Sequence, residues 1–225
     1  MGLVKICGIR ELQHMQSAAE AGADLLGIVF VQNVRRQLEP AAAQDLVSKF
    51  RLSHNGGPSI VGLFANQSVD DVNQVAEDVD LDIVQLCGDE QPSFWAQLNN
   101  PFIQMIHLPA NIPSNKQSRI RTLQQAEMRL EQVKIANGIA ILDRGSQTQP
   151  GGTGKAFDWT LARELKLLGH SFLLAGGLNP DNVGTAIRMV CPDGVDTSSG
   201  VEINGIKDSV RISAFVKNAR QQFSL

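Results

Sequence analysis

Short apolar runs rich in Val, Ile, Leu and Phe recur along the chain at 3–7, 24–30, 59–65, 82–86, 102–108, 138–143, 171–175 and 193–197. Stretches of helical character separate them, at 11–21, 40–50, 69–78, 92–99, 120–133, 157–168, 181–190 and 207–220. A strand that is apolar along its whole length must be covered on both faces, which points to a parallel sheet flanked by helices. A doubly wound open sheet fits that alternation too, but regular strand–helix units without a second domain favour closure. The expected fold is therefore α/β, a single (β/α)8 barrel with a central eight-stranded parallel sheet over residues 1–225. At 225 residues its loops must be short, and its site belongs at the carboxyl ends of the strands.

Local signals agree. Ser68 precedes Asp70 and Asp71 as a helix cap, Pro40 and Pro92 suit first turns, and Asn179-Pro180 is expected to open a helix. Gly22 and Gly169 fit helix carboxyl termini. Residues 109–119 read as a loop after the fifth strand.

A net charge of −3 provides no basic field for nucleic acid. No apolar run approaches the roughly 18 residues of a membrane span, and no charged-then-apolar leader opens the chain. Met1-Gly2 superficially suggests myristoylation, but Ile6 stands where that motif needs Ser or Thr. Cys7, Cys87 and Cys191 are far apart and form no metal-type pair, so free thiols in the cytoplasm are expected, and Asn66-Gln-Ser68 is not a working sequon. The four histidines show no ligand spacing, and only His107 is near a strand's carboxyl end.

Chemistry concentrates where apolar runs stop. Gly138-Ile-Ala-Ile-Leu-Asp143 ends in an acid with no helix starting for more than ten residues, which disfavours a capping role. Gly176-Gly-Leu-Asn-Pro180 follows the seventh run and Thr197-Ser-Ser-Gly200 the eighth. Glycine-freed amides at those two turns are a common phosphate cradle in barrels. Gly151-Gly-Thr-Gly-Lys155 lacks the full P-loop pattern because Ala156 follows the lysine, so a loop closing over substrate fits better than a nucleotide site. Cys7, before Gly8, is a core residue or a base; an unperturbed thiol, with a pKa of about 8.5, is partly ionised at neutral pH. Of the adjacent Arg35 and Arg36, one can grip a carboxylate through two parallel bonds. Asp196 either points into the mouth or caps the Ser198-Ser199 turn.

Val4-Lys-Ile-Cys-Gly-Ile-Arg10, Val84-Gln-Leu-Cys-Gly-Asp-Glu90, Leu142-Asp143, Gly151-Gly-Thr-Gly-Lys-Ala-Phe-Asp-Trp159, Leu174-Ala-Gly-Gly-Leu-Asn-Pro-Asp-Asn-Val183 and Gly194-Val-Asp-Thr-Ser-Ser-Gly-Val-Glu202 together resemble the phosphoribosylanthranilate isomerase family, in order and over essentially the whole chain. The resemblance implies a (β/α)8 enzyme of tryptophan biosynthesis, without cofactor or metal, that performs an Amadori rearrangement of N-(5′-phosphoribosyl)anthranilate. It implies Asp143 as general acid and Cys7 as general base. Asp143 then needs burial or a negative neighbour to keep its proton, and Cys7 needs opposite help, for which the Lys5 region is one source. Arg36 would hold the anthranilate carboxylate and Asp196 the ribose part or the catalytic groups. Amides around Gly176, Gly177, Ser198, Ser199 and Gly200 would bind phosphate. Three positions depart from the family: Cys87 replaces its usual His, Gln104 its usual Lys, and Val34-Arg-Arg-Gln37 its Ser-x-Arg-Tyr turn. They are expected to ring the mouth, with Cys87 adding sensitivity to oxidation. Two other readings are a related sugar-phosphate isomerase, disfavoured by Cys7, and a phosphate-ligand-binding barrel weakened in catalysis. The only partner expected is a small phosphorylated molecule, with no nucleic acid, no membrane, and a monomer rather than a homodimer.

Overall fold

The computed structural model describes residues 2–54, 56–109, 115–144 and 159–224. Eight parallel strands close into a barrel in sequence order: β1 (Leu3–Cys7), β2 (Leu25–Val29), β3 (Ser59–Phe64), β4 (Ile83–Leu86), β5 (Phe102–Leu108), β6 (Ile139–Arg144), β7 (Leu173–Leu174) and β8 (Gly194–Thr197). β8 pairs back onto β1, with Lys5 opposite Asp196. Helices follow the strands: α1 (Leu12–Glu20), α2 (Pro40–Ser53), α3 (Val69–Val79), α4 (Pro92–Trp95), α5 (Lys116–Ile135), α6 (Thr160–Leu167), α7 (Val183–Val190) and α8 (Ser209–Phe223).

The two-residue period of a strand divides the apolar residues into two cores. Val4, Ile6, Leu26, Ile28, Leu142 and Val195 face outward and pack beneath the helices with Phe50, Leu165 and Phe215. Cys7, Leu25, Val61, Leu63, Ile103, Ile141 and Leu173 face inward and fill the barrel. On β1, β6 and β8 that parity turns Lys5, Cys7, Asp143 and Asp196 to the inside. Apolar runs thus build the wall, and the polar residues breaking them are forced into the interior or the mouth.

The expected caps at Ser68, which accepts from the Asp71 amide at 3.2 Å, and at Pro40 and Pro92 are present. Gly22 and Gly169 take φ of 89° and 91° beyond their helices, a left-handed conformation that glycine adopts without strain. Elsewhere the boundaries move. α5 starts at Lys116, inside the stretch read as a loop, because the Asn115 side chain accepts from the Ser118 amide at 2.7 Å and caps it. α4 ends at Trp95 rather than 99. Asn179-Pro180 does not start α7 directly: the Asn179 side chain accepts from the amides of Asp181 and Asn182, forming a turn before the helix begins at Val183. Residues 202–207, where no strand is expected, form a hairpin of β9 (Glu202–Ile203) and β10 (Ile206–Lys207), and the last helix begins at Ser209 rather than 207. Its two-residue loop, Asn204-Gly205, has positive φ at both positions, the backbone of a type I′ turn. The glycine-rich segment 151–154 and the lysine after it lie outside the described residues.

Candidate active site

Cys7 and Asp143 both stand at the carboxyl end of the barrel and face inward. Cys7 is buried, and the Asp143 carboxylate accepts from the Arg144 amide at 2.7 Å. Beneath them Lys5, fully buried, donates to Asp196 Oδ1 at 2.9 Å. Asp196 therefore faces the interior and is paired, which settles its orientation against capping the Ser198-Ser199 turn.

These groups set one another's protonation. Burial pushes the Asp143 carboxyl up to about 6, helped by Asp196 and opposed by the Arg144 amide, His107 and Lys5. Burial also raises the Cys7 thiol above its ordinary value; Lys5, Lys207 and Arg36 pull it back, while Asp196 adds to the rise. The assumption of a partly ionised thiol is thus corrected: Lys5 acts in the expected direction, but desolvation outweighs it. Burial works against the Lys5 ammonium as well, yet Asp196 and Cys7 hold it protonated.

The two glycine turns meet. Gly176 and Gly177 take φ of 85° and 72°, and Asn182 Nδ2 fixes the Gly177 carbonyl at 3.0 Å. Thr197 Oγ1 donates to the Leu178 carbonyl at 2.7 Å, tying the turn after β7 to the end of β8. Ser199–Val201 is a short 3₁₀ turn, and a Cβ on Gly200 would fall 1.9 Å from the Leu178 carbonyl oxygen. The Gly176-Gly177 and Ser198-Ser199-Gly200 backbones thus adjoin because Gly200 has no side chain. Gly200→Ala should destabilise the fold by about 1–3 kcal/mol through this overlap. Urea unfolding measures it, and a midpoint equal to that of wild type would show that the turns tolerate separation.

The loop after β2 folds back over the mouth. Val31 and Val34 pack on the interior core, and Leu38 donates to Val29 O at 2.8 Å. Arg36 is carried across Gly8, where a Cβ would lie 2.4 Å from Arg36 Cδ; Gly8 is itself held at φ 76°. Arg36 reaches Glu202 side-on, Nε to Oε1 at 2.7 Å and Nη2 to Oε2 at 3.0 Å. Arg35 Nη2 joins at 2.6 Å, with its Nη1 on the Gly205 carbonyl, and Lys207 Nζ at 2.9 Å. Lys207 also donates to the Ser198 carbonyl at 2.8 Å. Gly8, Arg35, Arg36, Glu202 and Lys207 border a cavity of about 260 Å³. Glu202 and Lys207 were not legible as site residues, although Ile203-Asn-Gly-Ile206 carries a hairpin signal that would have brought them back to the mouth.

Of the departing positions, Cys87 packs on the interior core. Burial and then Cys7 push its thiol up to about 12, against a contact from Gln85 Nε2 at 3.6 Å. Gln104 does not ring the mouth. It points outward, fully buried, accepting from Trp95 Nε1 at 3.0 Å and donating to the carbonyls of Gly88 and Met105. Strand parity gives the inward place to Met105. His107 lies beside Asp143 across the β5–β6 pair, its Nε2 3.2 Å from the Cys87 carbonyl. His170 precedes β7 at the opposite end, 3.5 Å from Glu127 and 3.6 Å from Glu131. Among the described residues no group of three or more His, Cys, Asp or Glu side chains could hold a metal ion, and no helix is long and apolar enough to cross a membrane.

A mouth with an acid raised toward neutrality by burial, an inward thiol, arginines and two joined glycine turns suits acid–base chemistry on a small anion. Residues 4–218 match the family model described as N-(5′-phosphoribosyl)anthranilate (PRA) isomerase. An N-(5′-phosphoribosyl)anthranilate isomerase from Trichlorobacter lovleyi is 38% identical over 221 residues, spanning 97% of this chain and 98% of that protein. One from Saccharomyces cerevisiae is 36% identical over 97% of this chain and 95% of its own length. The crystal structure of phosphoribosyl anthranilate isomerase from Thermotoga maritima superimposes with a TM-score of 0.81 at 32% identity, over 98% of this chain and 100% of that one. A solved phosphoribosyl anthranilate isomerase in complex with reduced 1-(o-carboxyphenylamino)-1-deoxyribulose 5-phosphate gives a TM-score of 0.78 at 31% identity, over 98% of this chain and 100% of that one. With its barrel closed in the same order and its motifs matched from end to end, the chain belongs to the N-(5′-phosphoribosyl)anthranilate isomerase family.

Proposed function

We propose that this isomerase of tryptophan biosynthesis uses Asp143 as its general acid and Cys7 as its general base. Asp143 protonates the ring oxygen of the substrate's furanose, and the ring opens to a Schiff base. Cys7 then removes the C2′ proton, and the resulting enolamine tautomerises to 1-(2-carboxyphenylamino)-1-deoxyribulose 5-phosphate. Arg36 holds the anthranilate carboxylate. The backbone around Gly176, Gly177, Ser198, Ser199 and Gly200 binds the phosphate, and Asp196 orients Lys5 beneath the catalytic pair. The related isomerase solved in complex with a reduced deoxyribulose 5-phosphate supports a phosphorylated ligand of this class. The observation carrying the reading is that Asp143, pushed up to about 6, shares one inward-facing mouth with Cys7. We also read residues 1–225 as one catalytic domain of a cytoplasmic monomer. The scatter of large exposed apolar side chains over α2, α5, α6 and α8 (Leu52, Met128, Leu167 and Val210) supports the monomer. The related isomerase from Thermotoga maritima, by contrast, is described as dimeric, with monomers generated from it.

The acid must be protonated and the base ionised, while Asp143 titrates near 6 and Cys7 above the ordinary thiol value. The active form is then the minor one. Between the two values, each rise in pH removes protons from Asp143 as fast as it creates thiolate, so kcat/KM is level. Below about pH 6 Asp143 is already protonated and only thiolate is lost, so kcat/KM falls about tenfold per unit. Above the thiol value only acid is lost, and it falls again. Following anthranilate fluorescence as substrate generated in situ is consumed gives this profile. Inhibition by the reduced product analogue over the same range separates ionisation of the ligand phosphate. Absence of turnover refutes the isomerase reading, and a profile level down to pH 4 refutes the acid–base assignment.

A further inference from the structure

We propose that Glu202 is the positioning residue for Arg36, fixing its guanidinium so that one edge is left to recognise the carboxylate on the substrate's aromatic ring. The inference rests on the reading of Arg36 as the carboxylate grip.

A guanidinium has five N–H donors. Glu202 takes the Nε proton and one Nη2 proton of Arg36 along the side of the fork. One Nη1 proton and the second Nη2 proton then form the end-on edge, which has no partner among the described residues and has the geometry for two parallel bonds to another carboxylate. A flexible arginine would lose rotamer freedom on gripping a ligand, and Glu202 removes most of that freedom in advance. The same carboxylate does not cancel the charge. Arg35, Arg36 and Lys207 all bond to Glu202, so three cations share one anion and the cluster keeps a positive surplus suited to an anionic ligand.

Glu202 can serve as this fixed point because of where the fold holds it. Its side chain is 5% exposed. It sits at the first residue of the β9–β10 hairpin, and Lys207, its neighbour across the ladder, anchors that hairpin to Ser198 O at 2.8 Å. Burial disfavours the charged form, but the bonds from Arg36, Lys207 and Arg35 hold the carboxyl at about 2, so it stays ionised throughout the working range. Arg35 adds a second strap from the loop to the hairpin, through Glu202 and the Gly205 carbonyl.

Glu202→Gln is the informative change, since the amide keeps one acceptor oxygen for Lys207 while its NH2 turns against the Arg36 fork. Steady-state kinetics should give KM raised about tenfold to a hundredfold, the scale of one or two charge-assisted hydrogen bonds, with kcat within a few-fold of wild type. Calorimetric binding of the reduced product analogue, and of its counterpart lacking the ring carboxylate, provides a readout that a merely structural defect would not move. Glu202→Gln should weaken the first by the same factor and leave the second within about threefold, and Arg36→Gln with Glu202→Gln should be no worse than Arg36→Gln alone. Equal weakening of both ligands, an unchanged KM, or additive effects would each overturn the role of Glu202. If Arg36→Gln itself fails to distinguish the two ligands, the carboxylate reading of Arg36 fails instead.

Discussion

Asp143→Asn should lower kcat/KM by about 10²- to 10⁴-fold, and Cys7→Ala by a similar factor, the usual contribution of a positioned acid or base. The asparagine keeps the size and hydrogen-bonding shape of the carboxyl but has no proton to give the furanose oxygen. Stability should move the other way. Burial raises Asp143 above its unfolded value of roughly 3.9. Above about pH 6 the folded chain therefore carries an ionised carboxylate in a setting that disfavours it, a cost absent below the unfolded value. Asp143→Asn removes that charge and should be at least as stable as wild type at pH 7. A variant that loses activity while its urea midpoint holds or rises separates chemistry from folding. Activity within tenfold of wild type would remove Asp143 from the acid's role. Because acid and base act as a unit, the double variant should be little worse than either single one.

The largest stability effect is expected at the buried pair below. Lys5→Met leaves Asp196 without its partner at 2.9 Å and should cost about 3–5 kcal/mol. Adding Asp196→Leu removes the stranded charge and should recover much of that loss, since a well-packed apolar pair can match a buried ion pair. Urea unfolding with an unchanged m-value reads both effects. A single variant within about 1 kcal/mol of wild type would mean that water or another side chain reaches Asp196. Lys5 also opposes the rise of the Cys7 thiol. Its loss should therefore lower kcat/KM at pH 7 beyond what the fraction folded explains.

The strand–helix alternation, the barrel it closes and the inward placement of Cys7 and Asp143 were legible in the chain, because apolar runs and two-residue parity are local properties. Gly176, Gly177 and Gly200 were legible for the same reason, since glycines at strand ends mark turns that other residues enter with strain or overlap. Pairings between distant segments were not legible. The sequence by itself offers nothing to say that Lys5 meets Asp196, that Gln104 turns outward to Trp95, or that Glu202 returns on a hairpin to seize Arg36. The same is true of protonation. Residue type allowed a partly ionised Cys7, and only the packed barrel, by removing water from the thiol more effectively than Lys5 compensates, reversed that balance. Which side chains are present and which way each strand faces are set along the chain; who neighbours whom and how much water remains are set by closure in three dimensions.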